Sequence, residues 1–162
     1  MGIFSFIKNA GAKVFGIGKT TAEEAAEAAM EIAELERAKA TKLTGAVETL
    51  GFEVVDLNIE VKDDAATIWG QADSQATKEK VVLVVGNTEG IASVDDRMTV
   101  AIQEPEAQFH TVVKGDYLSK IAKKYYGNAM KYPVIFEANK PMLTDPDKIY
   151  PGQMLRIPPV QA

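Results

Sequence analysis

The chain has 162 residues, no cysteine and a formal net charge of −5. That length suits one or two small domains, and the missing cysteines exclude disulfides and thiolate metal sites. An acidic chain with scattered lysines lacks the basic stripe of a nucleic-acid binder, so no nucleic-acid partner is expected.

Lys8 and Lys13 interrupt the apolar run that opens at Ile3. The continuous core of a secretory signal is therefore missing, and no stretch reaches the roughly 20 apolar residues of a membrane span. The expectation is a cytoplasmic protein with no stable membrane insertion. Ile3, Phe4, Ile7, Ala10, Gly11 and Val14 share one side of a helical wheel. This predicts a short amphipathic helix within residues 1–20, docked on the domain that follows.

Thr21 and Glu24 have capping-box spacing. The alanine- and glutamate-rich run from Ala22 to about Ala40 has high helix propensity. Leu43, Val47 and Leu50 extend its apolar stripe to Gly51. Phe52–Val61 then alternates, with Val55, Leu57, Ile59 and Val61 on one side and Asp56, Asn58 and Glu60 on the other, as in a half-buried strand. Lys62-Asp63-Asp64 reads as a turn and Ala66–Trp69 as the hairpin partner. Ser74 is an N-cap candidate for a helix from about Gln75 to Val85. The valines inside it favour strand locally, but the cap and the Gly86 exit favour helix. Val94–Ile102 is the third strand, and Gln103–Gln108, broken by Pro105, is a linker.

A second unit follows. Phe109–Val113 alternates as a strand, and Gly115-Asp116 turns it. Leu118, Ile121, Ala122 and Tyr125 make one helical face, which Gly127 ends with the left-handed residue that a C-cap needs. A second helix aligns Tyr132, Ile135, Phe136 and Asn139, and Pro151-Gly152 leads to a last strand, Met154–Ile157. The fold class is α+β, with an αββαβ unit and a βααβ unit after the amphipathic helix. The ranges are 1–20 for the helix, 21–103 for the first domain, 104–108 for the linker and 109–159 for the second domain.

Nothing in the sequence assembles a catalytic site. His110 is the only histidine; it has no triad partner and is expected on a solvent-facing strand position. Asp56, Glu60, Asp63, Asp64, Asp95 and Asp96 lack EF-hand spacing and are read as solvated turn and edge residues. No G-x-x-x-x-G-K-[ST] phosphate loop occurs. Trp69 is read as a core or interface residue. The expectation is a binding protein and not an enzyme.

The residues from Phe109 to Pro158 closely resemble a LysM domain, with Gly115, Asp116, Leu118, Gly127, Asn139, Pro151 and Gly152 in matching places. The order of elements from about Ala38 to Ile102 resembles a BON domain, carried by Ala66-Thr-Ile-Trp-Gly70 and Gly90-Ile-Ala-Ser-Val94. Together with the Met1-Gly-Ile-Phe-Ser-Phe start and the Phe136-Glu-Ala-Asn-Lys-Pro-Met-Leu143 run, the whole chain resembles the bacterial potassium-binding protein family. That resemblance implies a K+ sensor linked to osmotic or ionic stress, which changes conformation on binding. An intramolecular BON–LysM contact, with the LysM unit docking on the BON unit when K+ is bound, is expected. Backbone carbonyls can replace the hydration shell of K+, and helix ends leave such carbonyls unpaired. The expected ligands are the carbonyls of Ile7, Ala10, Gly90, Ile91 and Val94. The alternative implied by the LysM resemblance is an envelope adaptor for peptidoglycan or N-acetylglucosamine. Its groove would use Gly115, Asp116, Tyr117 and Leu118 on one side and Asn139 to Ile149 on the other. Tyr117 stands where a small hydroxyl residue is usual in that family.

Overall fold

The computed structural model describes residues 2–6 and 22–159. Its first element is a strand, β1 (Gly2–Ser5). A long helix, α1 (Ala22–Thr49), leads to the hairpin β2 (Val54–Lys62) and β3 (Ala65–Ala72). Helix α2 (Gln75–Gly86) crosses over to β4 (Ser93–Val100). The sheet order is β1-β4-β3-β2. Only β3 and β4 run parallel, a pairing that requires a crossover, and α2 is that crossover.

The N-terminal strand corrects the helix expected there. Ile3 and Phe4 share a helical face in the sequence, but the strand sends them to opposite sides of the sheet: Ile3 is 79% exposed, while Phe4 packs on the core. The open edge of β4 supplies the reason. Four residues without partners of their own gain a ladder from Gly2↔Asp96 to Ser5↔Ser93. The rest of the expected helix lies outside the described residues.

Both helices pack on one face of the sheet. Leu43 and Val47 of α1, Val81, Val82 and Val85 of α2, and Ile59, Val61, Ala66, Ile68 and Val94 of the strands form its core. Ser74 caps α2 by accepting from Thr77 N–H at 3.2 Å. The β2 pattern needs a correction. Its alternation breaks at a bulge between Val55 and Asn58, where Asp56 has φ 55°. Val55 is thereby exposed and Val54 turns inward, while Ile59 and Val61 keep their expected side. Trp69 is half-buried on the sheet face away from the helices, between Asn58 and Arg97.

The second unit pairs β5 (Gln108–Thr111) antiparallel with β6 (Met154–Ile157). Between them run α3 (Leu118–Tyr126), a short 3-10 turn (Ala129–Lys131) and α4 (Tyr132–Ala138). Gly127 ends α3 at φ 73°, and its N–H returns to the Lys123 carbonyl. Val112, Leu118, Ile121, Ile135, Leu143, Leu155 and Ile157 make a second core.

The valine run of α2 has a structural cause. Val81, Val82 and Val85 enter the first core. Leu83 points the other way, to a small cavity shared with Leu143 and Leu155 of the second unit. A helix buried on two sides is apolar nearly all round, which is why its sequence mimics a buried strand.

Candidate functional site

Three of the expected ion ligands sit where α2 returns to the sheet. Gly90 has φ 90°, a left-handed backbone that glycine adopts at no steric cost. Ile91 donates its N–H to Thr88 O at 3.2 Å, and Ala92 N–H reaches Asp64 O at 2.7 Å. Val94 pairs with Phe4 of β1 and Ala66 of β3. Ile91 and Val94 bury their side chains in the core, so what they offer a ligand is peptide backbone. The N-terminal segment reaches this connection, since Phe6 N–H donates to Ala92 O at 2.7 Å. The Phe6 ring lies against Gly86, where a Cβ would stand 1.8 Å from its Cζ. Ile7 and Ala10 lie outside the described residues.

The same helix grips the second unit through polar groups. Glu79 is 4% exposed and Arg156 is 7% exposed. Arg156 donates Nε and Nη2 to Glu79 Oε1 at 3.0 and 2.9 Å, and Nη1 to Ala138 O at 3.2 Å. Glu79 Oε2 accepts from Ala107 N–H at 2.9 Å and from Gln75 Nε2 at 3.3 Å. A buried ion pair is tolerated only when its remaining lone pairs and protons are satisfied, and this one is. Immediately past the end of α2, Asn87 mimics a strand. Its Nδ2 donates to Met154 O and its Oδ1 accepts from Met154 N, both at 2.9 Å. Phe4 and Phe109 meet edge to face at 5.3 Å across the same junction.

Beside this pair lies a cleft of about 240 Å³, lined by Phe4, Gln75, Lys78, Asp96, Glu106 and Phe109 among others. Asp96 corrects the expectation of a solvated carboxylate. It is buried, accepts from Met98 N–H at 3.0 Å and pairs with Lys78 Nζ at 3.3 Å. Burial pushes its carboxyl above the usual range, and the Met98 and Lys78 contacts only partly offset this. Among the described residues, no three His, Cys, Asp or Glu side chains gather to hold a metal ion.

His110 is also corrected. It is 8% exposed, with Nε2 2.8 Å from Asp116 Oδ2 and Nδ1 3.0 Å from the Tyr125 hydroxyl. His110 pairs with Leu155 on the side of β5 that faces the second core, where Tyr125 also packs, so this alternation position is covered although Gln108 at the start of the strand is exposed. Burial raises the Asp116 carboxyl, but the Val113 N–H and His110 outweigh it and hold the group below its usual range. Of the expected groove residues, Gly115 stands open at φ 90° and Tyr117 is exposed. Leu118 belongs to the core, with Ile149 packed against it. Asn139 is fully buried, donating to Ile135 O and Arg156 O and accepting from Arg156 N–H.

The sequence reading missed Glu79, Asn87 and Arg156 as a set. A glutamate in a valine-rich helix was the one available signal. Arg156 gave none, because it occupies the position of a two-stranded sheet that normally faces water.

The fold and junction define a two-module α+β protein. The BON domain family model matches residues 36–102 and the LysM domain family model matches residues 110–158. The potassium binding protein Kbp of Escherichia coli is 45% identical over 161 residues, which cover 98% of this chain and 99% of that protein. An uncharacterized protein of Deinococcus radiodurans is 53% identical over 49 residues, 30% of this chain and 19% of its own length. The chain belongs to the Kbp family.

Proposed function

We propose that this protein binds potassium ions in the cytoplasm and changes conformation on binding, as a sensor in osmotic or ionic stress. It is a binding protein and not a catalyst. The observation that carries this is similarity along nearly the whole chain to a relative named for potassium binding.

The chemistry around the α2–β4 connection is compatible with it. A weakly hydrated monovalent cation takes oxygen ligands, and backbone carbonyls suffice. The proposed ligands are the carbonyls of Gly90, Ile91 and Val94 together with Ile7 and Ala10. Val94 lies in the sheet, but a carbonyl has two lone pairs and one ladder bond uses one of them. Binding moves the molecule only if K+ contacts one arrangement better than another. The junction of Glu79, Arg156 and Asn87 is the element that such a difference would bias. The proposed domain limits are residues 21–103 and 109–159, joined at 104–108.

The test is calorimetric titration of metal-free protein with KCl and then NaCl at constant ionic strength. Saturable heat with K+ and none with Na+ is expected. Silence with both ions overturns the proposal and turns attention to N-acetylglucosamine oligomers, the ligand of the alternative reading.

A further inference from the structure

The outer side of Gly90 is covered by a cation that the protein itself carries. A Cβ built on Gly90 would stand 3.4 Å from Nζ and 3.9 Å from Cε of Lys39, and no other described residue outside its chain neighbours comes within 4 Å. Lys39 is on α1, next to Ala40, which packs on the core, and one turn before the buried Leu43. The helix therefore fixes the root of the side chain while its head extends over the loop. Among the described residues Lys39 has no carboxylate partner; the ion pairs there join Lys78, Arg97, Lys140, His110 and Arg156 to acidic groups.

We propose that Lys39 is a tethered competitor for the ion site at Gly90 and Ile91, so that its charge sets the potassium concentration at which the site fills. The proposal rests on the potassium reading above. A compact ammonium on a flexible four-carbon stem makes a point charge. It opposes a second monovalent cation brought within several ångströms, and only partial solvent screening weakens that opposition. The ion must displace the Lys39 head or bind beside it, and both routes lower affinity. The same arrangement gives a broad selectivity rule, since every cation that enters meets the same repulsion. Lys39 thus shifts the threshold without choosing between ions.

The experiment compares the unsubstituted protein with Lys39→Met and Lys39→Arg by calorimetric titration with KCl at constant ionic strength. Methionine keeps an apolar stem of similar reach without the charge, and arginine keeps the charge. Lys39→Met is expected to bind K+ about three- to tenfold more tightly, in line with a like charge several ångströms away in a partly screened site. Lys39→Arg is expected to bind no more tightly than the parent. Lys39 is exposed, so both variants should fold, which circular dichroism melting verifies. Equal affinity in the parent and Lys39→Met overturns the proposal alone. A parent without saturable K+ heat overturns the potassium reading and this proposal with it.

Discussion

A Cβ on Gly86 would collide with the Phe6 ring, its Cζ only 1.8 Å away. Alanine would contribute up to about 1 kcal/mol of helix propensity at the end of α2, but overpacking of this kind costs about 1–3 kcal/mol, so the clash wins. Gly86→Ala should lower the urea midpoint. Combined with Phe6→Ala, it should cost less than the two single losses together, because neighbours in contact do not add. Asp96 makes a second case. Its folded carboxyl lies above the ordinary value of 3.8 because of burial. The fold therefore holds this proton more tightly than the unfolded chain does. The stability that the group contributes is complete below 3.8 and is lost as pH rises through the folded value. Urea midpoints measured across that range should fall more steeply with pH for the parent than for Asp96→Asn.

Helix α2 serves two cores and carries the polar grip between them. Arg156→Met would leave the buried Glu79 carboxylate without its cation, a change that costs about 3–5 kcal/mol. Glu79→Met combined with Arg156→Met should cost far less, since two apolar groups leave no unpaired charge. Urea unfolding of the three variants against the parent checks both statements, and loss of the grip should also speed proteolysis near residues 103–107. How much of this was readable in the sequence depended on where each cause lay. Caps and glycine stops were readable because their causes are local: Ser74 acts through its own hydroxyl on a neighbouring N–H, and Gly51 and Gly127 act through their own backbone. The helix at Gln75–Gly86 was readable despite its valines for the same reason. The N-terminal strand was not, because its cause is the free edge of β4, some ninety residues away. The bulge at Asp56 and the burial of His110 were hidden likewise. One needs the partner strand, and the other needs Asp116 and Tyr125, which only the folded second unit brings against β5.

Across the whole molecule, two thin cores share one wall. Each module is small enough to be marginal alone, and the contacts of the buried Glu79 and Arg156 and the half-buried Asn87 and Phe109 couple their stabilities. An equilibrium between a closed and an opened junction is thus governed by a few groups. The expected K+ titration gives that equilibrium a handle, and the Lys39→Met comparison measures where its midpoint is set. The β1–β4 pairing, Gly2↔Asp96 through Ser5↔Ser93, has a further consequence for biosynthesis. A ribosome extends chains by about 5–20 residues per second. The first strand is therefore synthesised roughly 5–20 s before its mate. Through that interval Phe4 and Phe6 have no seat, and a nascent chain arrested before β4 would offer them to chaperones.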